Sequence, residues 1–172
     1  MANVFKKDDY LIHDDAIRGV MLSEARHMVE STWRAAESLD AKSSSLLATT
    51  AALAAASFAA IGFGVAECLP DLSFSAGLAM VPFVVGTILA AVASTGEKLN
   101  AIHFEGSAIL KDHQSRKRIA QIESELAYFL DMHSNENDKQ NGRRGRKITW
   151  SAYCVPTGIV VGASTWTVLA IL

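Results

Sequence analysis

Cysteine and proline are scarce in this sequence, and the shortage of cysteine limits its chemistry. The chain has two cysteines and three prolines in 172 residues. Cys68 and Cys154 are not arranged as a Cys-x-x-Cys pair, and the five histidines show no metal-ligand spacing with them or with each other. This argues against a zinc site built from cysteine and histidine. We also expect no disulfide within one chain, because the two thiols are predicted to lie at different depths of a membrane.

Motifs for catalysis and for cofactor binding are also missing. The sequence contains no P-loop, no dinucleotide-binding glycine fingerprint and no His-Glu-x-x-His motif. Glu24 and His27 form a single Glu-x-x-His, whereas carboxylate di-metal bundles need two such motifs and two further glutamates. His103 to Glu105 is similar to the start of a zinc deaminase motif but has no downstream Pro-Cys-x-x-Cys. We therefore predict a protein that is not an enzyme and that binds neither metal nor cofactor.

Charge is absent from three long stretches, and this feature predicts the fold class. Residues 43–66, 72–96 and 148–172 contain no Asp, Glu, Lys, Arg or His, and each stretch is 24 or 25 residues long. An α-helix of that length spans about 36 Å, and a bilayer core of about 30 Å needs about 20 apolar residues. The sequence thus predicts an all-α integral membrane protein with three transmembrane helices.

The distribution of basic residues predicts how these helices are oriented. All sixteen Lys and Arg lie in residues 1–42 and 98–147, while the short loop at residues 67–71 has only Glu67 and Asp71. Basic segments next to membrane helices stay in the cytoplasm. We expect a multi-pass protein of the inner membrane with a cytoplasmic N-terminus and a periplasmic or extracellular C-terminus. We also expect no cleavable signal peptide, since the first 42 residues lack an early apolar region.

A basic cluster directly before the third stretch, formed by Arg143, Arg144, Arg146 and Lys147, raises the alternative of nucleic-acid binding. The segments predicted to be cytoplasmic hold all sixteen basic residues and sixteen of the eighteen acidic ones, so they are nearly neutral. A nucleic-acid-binding domain usually has a clear basic excess. We therefore interpret the cluster as a topology anchor at the membrane surface and predict no direct binding of nucleic acid.

Two further segments predict helices outside the membrane, and these complete the domain organisation. Residues 1–42 carry an amphipathic helix that begins at Asp14 or Asp15 and runs to about Asp40, with apolar or small residues three and four apart. Residues 43–96 are a transmembrane hairpin, residues 97–147 are a long cytoplasmic helix followed by a basic linker, and residues 148–172 are the last span. In the linker, the Asn- and Gly-rich stretch SNENDKQNGRRG predicts a loop that turns the chain back to the membrane.

Small residues in the spans predict close helix packing. Gly158 and Gly162 form a GxxxG pattern, Gly64 ends a row of alanines four apart, and Gly86 begins a similar row in the second span. Such rows serve contacts within one subunit or between subunits, and the sequence does not separate the two. Ser43, Thr50 and Ser57 recur every seven residues, a charge-free polar stripe that suits either a passive pore or simple packing.

A second basic cluster, formed by Arg116, Lys117 and Arg118, lies within the long helix. Clusters of arginine and lysine bind phosphate well, so these residues are candidates for contact with a phosphate-bearing signal or a partner. The alternative is a solvated helix face near Asp112, Glu123 and Glu125. If charge reversal of the cluster leaves activity intact, the contact hypothesis is wrong.

The layout and one short motif resemble a known group of membrane proteins. An amphipathic helix ends in SLDAKSSSLL before the first span, and NDKQNGRRGRK precedes the last span. This resembles the small membrane effectors of bacterial anti-phage systems, the SLATT group and the Pycsar transmembrane effectors. In the latter, Asp-x-Lys-Ala precedes the first span; here Asp40 and Lys42 match, and Ser43 replaces the Ala.

The resemblance implies an oligomeric effector that permeabilises or depolarises the membrane in abortive infection. Its partners would be the lipid bilayer, further copies of itself, and a trigger that is either a cyclic-nucleotide signal or a cytoplasmic regulatory protein. The alternative is a non-enzymatic membrane anchor or scaffold, which docks a cytoplasmic partner through the helix at residues 97–133. A membrane-embedded enzyme is disfavoured, because no nucleophile, acid–base pair or metal site was found in the sequence.

Overall fold

Three α-helices make up the described part of the chain. The computed structural model describes residues 15–95 and 118–171. Within them, α1 is Asp15–Ala66, α2 is Pro70–Ser94 and α3 is Ile119–Ile171, and these residues contain no strand. All three helices include a segment long and apolar enough to cross a membrane.

The first and third helices are longer than the sequence predicts. α1 does not end near Asp40 but continues for 52 residues into the first charge-free stretch. α3 runs unbroken for 53 residues through SNENDKQNGRRG, so the predicted loop is wrong. Asn and Gly are weak helix formers, yet tertiary packing often overrides propensity. Here Ser134, Asn137 and Asn141 are buried at spacings of three and four, as expected for one packed helix face.

The turn between α1 and α2 closes α1 with a Schellman motif. The amide of Leu69 donates to the carbonyl oxygen of Gly64 at 2.7 Å, and the amide of Cys68 donates to that of Val65 at 3.4 Å. Cys68 adopts the left-handed conformation, φ 56°, at the position usually taken by glycine. Pro70 then begins α2, where its missing N–H costs no helical hydrogen bond.

The chain forms two compact units. Among the described residues, the helix-pair unit comprises residues 15–36 and 118–141, and the three-helix unit comprises residues 37–95 and 142–171. Residues 97–117, the first part of the predicted cytoplasmic helix, lie outside the described residues.

In the helix-pair unit, the α1 and α3 segments run in the same direction. Arg18 contacts Glu123 near their beginnings, with Nε–Oε2 at 3.3 Å, and Asn141 contacts Thr32 near their ends. A small apolar core lies between them, made of Ala25, Ala127, Leu130, Leu22, Val29 and Leu126. Beyond this core most buried positions are polar, so the pair combines modest apolar burial with polar groups that favour one register.

In the three-helix unit most interior side chains are small or polar, and most large apolar side chains lie outside. α1 buries Ser43, Thr50, Ser57 and Gly64, which are seven residues apart. The exposed side chains include Phe58, Phe63, Phe74, Val81, Val85, Ile88, Ile159, Val160 and Val168. In water this arrangement would be unfavourable, but in lipid the outer side chains are solvated and small inner ones let helices pack closely. The distribution therefore fits a bundle whose solvent is a bilayer.

Gly158 provides a direct test of this packing. A Cβ built there would lie 2.6 Å from Cζ of Phe83, a buried ring of α2, whereas a Cβ at Gly77 of α2 would meet nothing within 4 Å. We expect Gly158→Ala to destabilise the protein by about 1–3 kcal/mol through overpacking, partly offset by the helix propensity of alanine. Gly77→Ala should be neutral or stabilising, and thermal unfolding in detergent would measure both.

Since the contact lies within one chain, Gly158→Ala should leave the oligomeric state of the folded protein unchanged. A variant as stable as the original protein but defective in assembly would contradict the intrachain role of Gly158.

Candidate functional site

The basic cluster at the start of the last span contains a buried arginine that links three helices. Arg144 of α3 is only 7% exposed. Its Nη2 forms an ion pair with Oδ1 of Asp40 on α1, and its Nε donates a 3.0 Å hydrogen bond to the carbonyl oxygen of Ala93 on α2. We call Arg144, Asp40 and Ala93 the arginine junction.

Helix geometry explains why a cation is favourable at the arginine junction. Ala93 lies in the last turn of α2, whose carbonyl groups have no complete set of helical donors and carry the negative end of the helix dipole. A guanidinium has several donors in a fixed plane, so it can serve a carboxylate and a carbonyl at once. The arginine junction thus holds the end of α2 between α1 and α3 next to the charge-free spans.

The four residues of the predicted topology anchor occupy different environments. Arg143 and Arg146 are exposed, Lys147 is half-buried, and Arg144 is buried in the arginine junction. The anchor role stays a prediction, and for Arg144 the structure adds a packing role. Of the predicted membrane-entry motif, Asp40 belongs to the arginine junction and Lys42 is exposed.

The sequence interpretation missed the pairing of Asp40 with Arg144, which are 104 positions apart. The spacing of seven residues along α3 was the one signal available in the sequence. Buried positions on α3 recur every seven residues at Leu130, Asn137, Arg144 and Ser151, and this places Arg144 on the packed face. Because the sequence predicts a loop at residues 134–145, this spacing is not evident from the sequence as a helical repeat.

The interior of the three-helix unit is polar but tightly filled. Oγ of Ser151 donates to the carbonyl oxygen of Gly86 at 2.8 Å, a hydrogen bond between α3 and α2. The hydroxyls of Ser43, Thr50 and Ser57 donate to carbonyls of their own helix. A Cβ on Gly86 would lie 2.9 Å from Cβ of Cys154 and 3.1 Å from Cγ2 of Thr50. The buried stripe on α1 therefore serves helix packing within the chain.

The other three glycines proposed for packing or oligomerisation also contact neighbours within the chain. Gly158 faces Phe83, and a Cβ on Gly162 would lie 3.0 Å from Cβ of Ala79. Gly64 faces the side chain of Ser73 across the turn between α1 and α2. Contacts of these glycines with a second copy are not needed to explain why the positions are small.

The helix-pair unit has its own buried polar group. Nδ2 of Asn141 donates to the carbonyl oxygen of Thr32 at 3.0 Å, and Ser134 is completely buried. Polar residues at buried positions of paired helices fix register at some cost in stability. We assign these residues to alignment of the two helices.

The predicted signal-contact cluster is only partly described. Arg116 and Lys117 lie outside the described residues. Arg118 is exposed directly before α3, and its amide donates to Oε1 of Gln121 at 3.3 Å. The hypothesis of a phosphate contact at this cluster stays a prediction.

Clusters of side chains that could bind a metal are absent from the residues that the structure describes. In residues 15–95 and 118–171, no three His, Cys, Asp or Glu side chains come together as a potential metal site. Cys68 and Cys154 are both free thiols, with Cys68 exposed and Cys154 half-buried.

Comparison with known proteins adds no family assignment. No family model, curated protein or solved structure matches the chain. The fold itself defines the class. The described chain is all-helical, with three helices that have the length and composition to span a membrane, as in multi-pass membrane proteins.

A conservative substitution separates the two roles of Arg144. Arg144→Lys keeps the positive charge and therefore any anchoring effect, but a lysine cannot reproduce the planar set of donors. We expect it to lower the free energy of unfolding by about 1–2 kcal/mol, because a hydrogen bond to a charged group contributes about 1.5–3 kcal/mol and Asp40 is partly solvated. Arg143→Lys, one residue away and exposed, is the matched control.

Thermal unfolding in detergent measures the stability of both lysine variants, and a reporter fused to the C-terminus measures their topology. If Arg144→Lys and Arg143→Lys unfold alike, Arg144 acts only through its charge.

Proposed function

We propose that the protein is an oligomeric inner-membrane effector of bacterial anti-phage defence, which permeabilises or depolarises the membrane when a nucleotide signal or a partner protein triggers it. The observation that carries the proposal is a face of α1 that is made only of small residues and remains exposed. Its members are Ser45, Ala48, Ala52, Ala55, Ala59, Gly62 and Ala66, which we call the small-residue seam.

The geometry of the small-residue seam favours association with another helix. Its members are spaced alternately three and four residues apart, the repeat of helices that pack in a left-handed supercoil. The seam lies on the opposite side of α1 from the buried row that includes Thr50 and Ser57. In lipid, rows of small residues allow close approach of two backbones, which adds van der Waals contact. A second copy of the chain is the simplest partner for such a surface.

A row of hydroxyls on α3 supports the permeation part of the proposal. Thr149, Thr157, Ser164 and Thr167 are all exposed, and helical geometry places them within one sector of the helix. All four donate to carbonyls of their own helix and need no partner in lipid. A row of hydroxyls without charge along a span suits the lining of a passive path between subunits. The filled interior of the single chain at Gly86 offers no such path.

The defence role rests on the resemblance in layout and on the match at Asp40 and Lys42. The pairing of Asp40 with Arg144 supplies a physical reason for an aspartate before the first span. Asp40 positions Arg144, and Arg144 in turn binds the carbonyl oxygen of Ala93 at the end of α2.

The runner-up function, a membrane anchor or scaffold, is supported by apolar side chains in the helix-pair unit. Val20 and Ile119 are strongly exposed there, the latter at 72%. If this unit is cytoplasmic, as proposed, these side chains form candidate contacts for a protein partner.

Membrane potential is the quantity that separates the two functions. In cells that carry the protein together with its trigger, the effector proposal expects a potential-sensitive dye to report depolarisation before growth stops. The control is the same cells without the trigger. Growth arrest at an unchanged potential would refute permeabilisation, and a non-toxic protein recovered in a stable complex would favour the anchor.

Substitution in the small-residue seam tests assembly independently of toxicity. Ala52→Leu with Ala59→Leu places two bulky side chains on the seam, and we expect it to replace cross-linked oligomers by monomers in membranes. Ala163→Leu with Ala170→Leu, also seven residues apart and exposed but on α3, is the matched control and should assemble normally. Normal oligomers in the first double variant would exclude the small-residue seam as the interface.

A further inference from the structure

A groove lies between α1 and α3 in the three-helix unit, at the end of the spans that follows Lys42 and Lys147. It has a volume of about 810 Å³. Lys42 and Leu46 contribute from α1, and Ile148, Thr149, Tyr153 and Pro156 contribute from α3. None of the predicted packing glycines belongs to the groove, so it is distinct from the glycine contacts within the chain.

The groove changes from charged to apolar along its length. Lys42 is the only charged residue in its lining and directly precedes the charge-free run that begins at Ser43. Ser45 and Thr149 add hydroxyls near that end, and Leu46 and Pro156 line it further along. From Ile148 to Pro156 the helix rises about 12 Å, close to the depth of one bilayer leaflet.

Lys42 is available for an external anion. Within the described residues it forms no ion pair, although its side chain is exposed beside the groove. Nearby, Trp150 and Tyr153 pack edge to face with ring centroids 6.2 Å apart, and both are more than half exposed. Aromatic residues of this kind concentrate where the hydrocarbon meets the headgroups. The mouth of the groove therefore belongs at the headgroup level.

We propose that this groove binds one phospholipid with an anionic headgroup. The ammonium of Lys42 pairs with the lipid phosphate, the hydroxyl of Ser45 donates to one of its oxygens, and an acyl chain lies along Leu46 and Pro156. Basic pockets between membrane helices are suited to such headgroups. A helix from a second copy is a poorer occupant, because it would cover Lys42 with apolar surface and leave the charge unpaired.

The inference rests on the proposed membrane embedding, but not on the defence role or on the pore. A lipid held between α1 and α3 would make the packing of these two helices depend on the composition of the surrounding leaflet.

Native mass spectrometry of the full-length protein in detergent tests the site. Dioleoylphosphatidylglycerol should bind with one tight molecule per chain, and dioleoylphosphatidylcholine should bind at least about five-fold more weakly, because one charge near the surface has an effect of that size. Lys42→Gln should remove this preference. Lys147→Gln, a lysine at the same end of the span but outside the groove lining, should keep it.

Two further measurements identify the molecule that binds in the groove. Inorganic phosphate and glycerol phosphate at millimolar concentration should not displace the lipid, because they cannot fill the apolar part of the groove. Ala152→Trp, which adds bulk to the groove lining without changing charge, should weaken binding of both lipids. Displacement by either soluble phosphate would identify a phosphate site and overturn the lipid proposal.

If Lys42→Gln and Lys147→Gln lose the preference for phosphatidylglycerol equally, the preference comes from general surface charge. That result would overturn the specific site. Loss of oligomers in Ala152→Trp with lipid binding intact would assign the groove to a second copy. Both results are read from binding and mass, so they leave the proposed effector function to be judged by the potential-sensitive dye.

Discussion

Close approach of the helices at small residues is the constraint on which the three-helix unit depends. In lipid, large apolar side chains gain nothing by moving inward, because the surrounding chains are equally apolar. The bundle therefore holds together through contacts that need proximity. Gly158 against Phe83 is one such contact, and the Ser151 hydroxyl against the carbonyl of Gly86 is another. Every large side chain that points outward, such as Ile88 or Val160, follows from the same rule.

The arginine junction connects this packing to the charged end of the spans. Arg144 stands in a run of basic residues of the kind that the positive-inside rule describes, yet of these residues only Arg143 and Arg146 are exposed. A buried guanidinium is stable there because Asp40 balances its charge and the end of α2 supplies an acceptor. One cluster thus combines residues that suit membrane orientation with a residue that fixes helix positions. Charge counting alone cannot distinguish the two.

The filled interior of the single chain limits which surfaces could form a path for permeation. The polar stripe on α1 takes part in packing within the chain, where Gly86 lies close to Thr50 and Cys154. Permeation would then depend on surfaces that the single chain leaves exposed, the small-residue seam and the hydroxyl row of α3. The proposed lipid groove around Lys42 adjoins both, because Ser45 also belongs to the small-residue seam and Thr149 to the hydroxyl row. Together these three surfaces would give the proposed effector its contacts with further copies and with the bilayer.

The three spans, the segregation of charge and the all-helical class follow from the sequence, because a membrane helix needs only an uninterrupted apolar run, a local property. The end of a helix within SNENDKQNGRRG was also a local inference, and it was wrong. Ser134, Asn137 and Asn141 are buried on one face of α3, and Asn141 contacts Thr32, which lies far away in the chain. The partners of Arg144 and Gly158 were likewise decided by tertiary structure. Spacing along one helix shows which residues share a face, but only the fold shows what that face meets.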